Sequence, residues 1–231
     1  MSEISENLAR VRERIEAAAR RSGRDPEEVH LVAVSKSVES ERVRQAIEAG
    51  VNILGENYVQ EAQKKIEALG RGVAWHFIGH LQTNKARVAV RLFDFIHSVD
   101  SLTLAQELNR QAKLQGRILP VLLQVNISGE MTKFGAQEKE VFLLAEKLSP
   151  MEGIEVKGLM AMPPFLENPE DSRPYFVGLR KLGERLAQQK IPRIVMAEFS
   201  MGMSNDFEVA VEEGATLVRV GTAIFGPRPV K

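Results

Sequence analysis

Apolar residues along this chain fall into two rhythms that alternate from end to end. Short apolar runs come at His30–Ser37 (HLVAVSKS), Val51–Leu54, Ala74–Ile78, Phe95–Val99, Pro120–Ile127, Val156–Met160, Ile194–Phe199 and Leu217–Val220. A continuous run without polar alternation suits a strand buried on both faces, as in a parallel sheet. Between these runs the apolar positions recur at helical spacing, with charged residues filling the other face. Such stretches predict helices at Ser40–Ala49, Tyr58–Leu69, Thr83–Leu92, Leu102–Gln115, Gln137–Leu148, Tyr175–Gln189 and Asp206–Glu213. An opening helix over Ser5–Ser22 carries Leu8, Val11, Ile15, Ala18 and Ala19 on one stripe and stops at Gly23; it is expected to cover one end of the fold. Strict alternation with eight strands predicts an α/β protein, a single (β/α)8 TIM-type barrel with an extra N-terminal helix. A doubly wound open sheet is the runner-up. No Pro/Gly/Ser-rich linker divides the chain, so residues 1–231 read as one domain.

Composition narrows the function classes. Lys+Arg and Asp+Glu are equal at 31 each, so no global field favours nucleic acid or an anionic membrane. The absence of cysteine removes disulfides, zinc thiolates and thiol nucleophiles. No apolar stretch approaches the ~18 residues of a membrane span, and the N-terminus is charged and amphipathic, unlike a signal peptide. A soluble cytoplasmic protein that binds neither nucleic acid nor membrane is the expectation.

The polar residues at the strand ends then stand out. The first run ends on Lys36. A parallel strand delivers such a residue to the C-terminal rim, where α/β folds place their chemistry. Burial depresses a lysine pKa, and a neutral amine condenses with an aldehyde to a Schiff base; a lysine that merely reaches water is the plainer reading. Asn57 closes the second run, either orienting a ligand from the same rim or capping the next helix. After the seventh run comes Ser200-Met201-Gly202-Met203-Ser204, and after the eighth Gly221-Thr222-Ala223-Ile224-Phe225-Gly226. Small-residue loops entering helices suit a phosphate, which barrels place after strands seven and eight; helix capping is the alternative for either loop alone. Arg219, inside the last strand, needs a partner because its charge cannot be removed: a structural ion pair or a ligand atom at the barrel mouth. His76 and His80 have i,i+4 spacing but fall on a strand end and lack nearby carboxylates, so they do not read as a metal site.

A strand-end lysine, a phosphate site after strands seven and eight and an arginine at the mouth together suggest pyridoxal phosphate (PLP). Ala33–Lys36, Gly55–Glu61, Trp75–Lys85, Gly158–Met162, Ser200–Ser204 and Arg219–Gly226 resemble the pyridoxal phosphate homeostasis protein family, formerly called proline synthase co-transcribed homologue. The likeness covers nearly the whole chain. It implies a barrel like the N-terminal domain of alanine racemase, with PLP held as an aldimine on Lys36. It further implies that Arg219 faces the pyridine nitrogen and that Ser204, Gly221 and Thr222 hold the phosphate. Ser200 is carried over as a further cofactor-binding position, with Asn57 on the same rim. Members of the family act in vitamin B6 and amino-acid homeostasis without catalytic turnover of their own.

The chemistry of the residues agrees with a holder. An arginine facing the ring nitrogen disfavours its protonation and makes the ring a poorer electron sink. In alanine racemase the second base comes from a partner subunit's extra C-terminal domain, whereas this chain ends a few residues past its last predicted strand. Its two tyrosines, Tyr58 and Tyr175, fall in predicted helices. A monomeric, non-catalytic PLP protein with PLP-dependent apo-enzymes as candidate recipients is therefore expected. A PLP-dependent amino-acid racemase is the alternative. A Schiff-base aldolase acting on sugar phosphates is a third reading, which predicts a colourless protein where the first two predict a yellow one.

Overall fold

The computed structural model describes residues 2–130 and 133–227. Eight parallel strands close into a barrel in sequence order: β1 (His30–Val34), β2 (Ile53–Glu56), β3 (Ala74–Phe77), β4 (Phe95–Val99), β5 (Leu119–Val125), β6 (Ile154–Ala161), β7 (Ile194–Met203) and β8 (Leu217–Val220). Closure comes from β8 pairing with β1, His30 opposite Leu217 through Ala33 opposite Val220, which excludes the open sheet. The helices are α1 (Glu3–Arg21), α2 (Ser40–Glu48), α3 (Val59–Leu69), α4 (Ala86–Leu92), α5 (Leu102–Leu114), α6 (Glu138–Leu148), α7 (Arg173–Gln188), α8 (Phe207–Glu212) and α9 (Thr222–Phe225). The stretch from Thr83 to Leu92 is a 3-10 turn over Thr83–Lys85 followed by the short α4.

The helix after β8 has only four residues, too few to cover the strands beneath it. Here α1 finds its place. Its stripe of Ile4, Leu8, Val11, Ile15, Ala18 and Ala19 is buried, and the helix packs along α8, α9 and α2. The buried Asn7 Nδ2 donates to the Ile224 carbonyl at 3.0 Å, tying α1 to α9. The opening helix therefore completes the helical ring between the last and first β/α units, where the sequence pattern suggested a cap over one end.

β7 is longer than its apolar run. Ser200 and Met201 stay in the strand, and Met203 still pairs with Arg219 across a register shift. Gly202 takes up that shift with φ +88°; a Cβ there would lie 2.5 Å from the Ala210 Cβ and 3.0 Å from the Phe207 Cα. Only glycine allows α8 to come so close to the strand end.

Two apolar clusters divide the core. The larger fills the space between the barrel's outer face and the helices. The smaller joins Val32, Phe95, Leu122, Met160 and Leu217, with Ile53 against them, side chains from six strands that pack the barrel interior. Most of the remaining interior is polar: His76, His97, Ser200 and Arg219 are all buried there. Among the described residues no helix is long and apolar enough to cross a membrane.

Candidate functional site

β1 ends at Val34, and Lys36 lies two residues beyond it in a turn closed by the Val38 N–H donating to the Ser35 carbonyl at 3.0 Å. Ser37 adopts φ +60°, a left-handed conformation that a non-glycine residue holds at a cost on the order of 1 kcal/mol. A buried ionic cluster fixes this turn from the side of α3. Lys65 Nζ donates to the Ser35 carbonyl at 2.5 Å and to Glu56 Oε1 and Glu61 Oε1 at 2.7 Å each. Glu61 Oε1 in turn accepts the Ser37 N–H at 2.6 Å, and Glu56 Oε1 accepts the Ser35 hydroxyl at 2.6 Å. Burial pushes the Glu56 carboxyl above the usual carboxylate range despite Lys65, and its Oε2 has no partner among the described residues.

Asn57 follows β2 directly. The cap position of α3 is Tyr58, whose side chain makes no capping bond, so the helix does not use the Asn57 amide as its N-cap. Asn57 Oδ1 is buried without a hydrogen-bond partner among the described residues. Its backbone is pressed by Gly79, where a Cβ would lie 2.4 Å from the Asn57 carbonyl oxygen.

On the opposite side, Arg219 projects from β8 with only 3 % of its surface exposed. Its Nη1 donates to Ser200 Oγ at 2.5 Å and its Nη2 to the Ala161 carbonyl at 2.9 Å. No carboxylate among the described residues pairs with it within salt-bridge distance. Burial lowers its pKa to about 10, with Asp206 opposing that shift, so it stays cationic at neutral pH. The structural ion pair weighed for Arg219 is thus absent among the described residues. Ser204 Oγ accepts the N–H groups of Gly221 at 3.2 Å and Ala223 at 3.4 Å. It does cap a helix, but across loops, binding the end of β7 to the start of α9. Its own hydroxyl proton is not engaged in those bonds.

These pieces face one cavity of about 350 Å³ at the C-terminal mouth of the barrel. Lys36, Asn57, Ser204, Arg219, Gly221 and Thr222 all line it; they come from four neighbouring β/α units. Ser200 does not: it is fully buried behind Arg219. The wall also includes Met162, Phe165 and Asp206, which the sequence patterns did not single out. Asp206 Oδ1 accepts the Met203 N–H at 2.7 Å. His76 and His80 diverge. His76 lies in the barrel interior, 3.0 Å from His97 Nε2, whereas His80 stacks on Phe134 with ring centroids 3.8 Å apart. His76 and His97 were each legible as a polar residue inside a run buried on both faces, Ala74–Ile78 and Phe95–Val99.

A mouth with a lysine, a buried cation on its floor and hydroxyl and backbone groups at the last two loops fits a flat anionic aldehyde. The comparisons agree. Residues 7–229 match the family model described as alanine racemase, N-terminal domain. The chain is 45% identical over 224 residues to a pyridoxal phosphate homeostasis protein of Aquifex aeolicus (strain VF5), covering 96% of this chain and 97% of that one. It is 43% identical over 232 residues to the protein of the same name from Escherichia coli (strain K12), with 99% and 98% covered. The chain belongs to the pyridoxal phosphate homeostasis protein family. A solved relative in this family's likeness is PipY of Synechococcus elongatus PCC7942 with PLP bound, 38% identical with a TM-score of 0.84 over 96% of this chain and all (100%) of that one. An alanine racemase of Clostridium difficile 630 in complex with cycloserine shares the fold at 17% identity, TM-score 0.75, over 100% of this chain and 61% of the racemase.

The buried ionisable groups set two measurable properties of the fold. Replacing Lys65 with Met leaves Glu56 and Glu61 facing each other without their cation. Breaking a buried pair in this way costs about 3–5 kcal/mol. Chemical denaturation should show that loss, and hydrogen exchange should show faster opening at the Ser37 N–H.

The second concerns acid. Burial, followed by the nearby His30, lowers the His76 pKa to about 3, from an ordinary value of 6.5. The unfolded chain therefore takes up a proton below pH ~6.5 that the folded chain refuses. Stability from this group is complete above that pH and drains away as pH falls toward 3, by about 2 kcal/mol at pH 5. Glu56 shifts the opposite way, so the measurement is the change in unfolding free energy between pH 7 and pH 5, wild type against His76→Phe. The variant should lose less by that amount.

Proposed function

We propose that this protein binds pyridoxal 5'-phosphate as one domain and serves vitamin B6 and amino-acid homeostasis by holding the cofactor without turning over a substrate. The observation that carries the reading is the convergence of Lys36, Asn57, Ser204, Arg219, Gly221 and Thr222 on a single cavity. In this reading the Lys36 amine condenses with the cofactor aldehyde, releasing one water, to give a Schiff base. Arg219 meets the pyridine nitrogen as a donor that cannot give up its proton. Ser204, Thr222 and the backbone at Gly221 take the phosphate, and Asn57 borders the ring. Bound cofactor supplies an electrophilic ring conjugated to the imine; the chain's part is to orient it and to keep it.

The same cavity admits a racemase, and its wall bears on the choice. Asp206 is the acidic group that lines it, and its carboxylate is engaged by the Met203 N–H. Neither tyrosine lines it; Tyr58 is 60 % exposed on the rim and Tyr175 lies on α7. With no tyrosine among the described lining residues and Asp206 so engaged, steady racemisation is not expected. Racemisation of alanine or serine above about 1 s⁻¹ would support the enzyme instead. We further propose a cytoplasmic monomer whose recipients are PLP-dependent apo-enzymes.

Two experiments test the site. Borohydride reduction of the loaded protein followed by peptide mapping should place the label on Lys36, and Lys36→Ala should fold but take up none. A main product on another lysine would overturn that assignment.

Retention is the second. An imine exchanges with any amine, so the phosphate contacts must supply most of the hold. Charge-assisted hydrogen bonds contribute roughly 1.5–3 kcal/mol each. Losing two of them should make pyridoxal bind at least ~100-fold more weakly than PLP, and a bulky residue at Gly221 should mimic that loss. Equal affinities in a titration of cofactor-free protein would mean that the two loops are helix caps only.

A further inference from the structure

Behind the cavity four side chains from four strands form a continuous line through the barrel interior: Arg219 on β8, Ser200 on β7, His97 on β4 and His76 on β3. Arg219 Nη1 donates to Ser200 Oγ at 2.5 Å, Ser200 Oγ lies 2.9 Å from His97 Nδ1, and His97 Nε2 lies 3.0 Å from His76 Nδ1. None of the four is more than 6 % exposed. The cavity chemistry uses only Arg219, so the other three need their own account.

Hydrogen-bond inventory fixes the direction of this line. A guanidinium has donors and no acceptor, so Ser200 Oγ must accept at its Arg219 end. If His97 Nδ1–H also donated to that oxygen, the Ser200 hydroxyl proton would be buried with no acceptor on either side. Leaving a buried donor unmade costs more than a bond contributes. The consistent arrangement sends the Ser200 proton to His97 Nδ1. His97 then carries its own proton on Nε2 and donates to His76 Nδ1, which places the His76 proton on Nε2 as well. Both rings are neutral in this arrangement. Burial, together with Arg219 and His76 facing it, holds His97 well below its ordinary pKa, and His76 behaves likewise. Protonating either ring would reverse a bond in the line or place a second cation beside Arg219.

We propose that Ser200, His97 and His76 are a one-way hydrogen-bond relay, anchored on Arg219, that sets one tautomer in both rings and holds the guanidinium rigidly at the cavity floor. Ser200 and His97 are then positioning residues for the group that meets the pyridine nitrogen, a role that rests on the PLP-binding reading above. The relay conducts no proton into the site, because its first member has none to give. Its work is orientation. A guanidinium with two of its donors already committed, to Ser200 and to the Ala161 carbonyl, can present its remaining edge to the cavity in one pose.

The tautomers can be read directly. A long-range ¹H–¹⁵N spectrum of the imidazoles in cofactor-free protein, assigned with His76→Phe and His97→Leu, should show His97 and His76 protonated on Nε2 alone and unchanged between about pH 8 and pH 5.5. A proton on Nδ1 of His97, or on both nitrogens, would overturn the relay. The spectra are taken without cofactor, so they decide the matter whether or not PLP binds. The positioning role is read by Ser200→Ala. Loss of one buried hydrogen bond at the floor should weaken PLP binding by about 10-fold and shift the absorbance band of the bound cofactor. The ratio of PLP to pyridoxal affinity should stay as in wild type, since the phosphate is held elsewhere, and Ser200→Thr should restore both affinity and band. An unchanged affinity and band in Ser200→Ala would refute the positioning role, as would a change in the PLP-to-pyridoxal ratio. If Ser200→Ala does not fold, His97→Leu, which leaves the Ser200 proton without an acceptor, carries the same measurement.

Discussion

The interior of this barrel is organised by one charge. Arg219 is buried, stays protonated, and has no carboxylate within salt-bridge distance among the described residues, Asp206 acting on it through its charge without such a contact. A buried cation without a contacting carboxylate is tolerable only where fixed dipoles replace the water it has lost. Its two committed partners, the Ser200 hydroxyl and the Ala161 carbonyl, are dipoles of that kind. That requirement spreads outward from β8. Ser200 needs an acceptor, and His97 supplies it; His97 in turn has a donor to place, and His76 takes it. An apolar substitution at any one of these positions strands the next. Polar residues therefore run across the interior on four strands, while Val32, Leu122, Met160 and Leu217 fill another part of it with apolar side chains.

Lys36 is supported by the opposite strategy. Its turn is held by full charges, with Lys65 bridging two carboxylates and the Ser35 carbonyl, and Glu61 gripping the strained Ser37. Full charges suit a backbone turn because they grip main-chain groups directly and lie on the helix side of the sheet. Neutral dipoles suit the floor because another charge there would compete with Arg219 for the ligand. The cavity thus lies between a lip fixed ionically and a floor fixed by hydrogen bonds. Stability and ligand polarity are handled by different residues.

The barrel could be read from the sequence because each buried parallel strand writes an apolar run and each outer helix writes a stripe. Strand ends were harder. Ser200 looks like a loop residue beside Gly202, yet the register shift at Gly202 lets β7 carry on to Met203. The same small-residue stretch therefore yields one residue of the relay, Ser200, and one on the cavity wall, Ser204. The rim residues Lys36, Asn57, Ser204, Gly221 and Thr222 were legible because a parallel strand fixes which end of it faces the mouth. Lys65 was not, since a lysine on an amphipathic helix reads as solvated until its helix is docked on a buried glutamate. The role of α1 was hidden for a related reason. Its stripe says that it packs, but only the shortness of α9 says where.

The two kinds of support also bear on what the site can do with a pyridine ring. A carboxylate at the ring nitrogen would share a proton with it and draw electrons from the ring, which carbanion chemistry needs. Arg219 donates a hydrogen bond without releasing a proton. The imidazoles behind Ser200, neutral and of depressed pKa, carry no extra proton to lend near neutral pH. The floor therefore keeps its polarity across the pH range in which a free imidazole would change charge. A ligand placed there meets a constant field, and in the proposed reading its retention would vary with the phosphate contacts and with exchange at Lys36. Under the proposed function, that separation would suit holding a reactive aldehyde over transforming what it captures. The physical root is that Arg219 is held by dipoles, with no carboxylate within salt-bridge distance of it among the described residues.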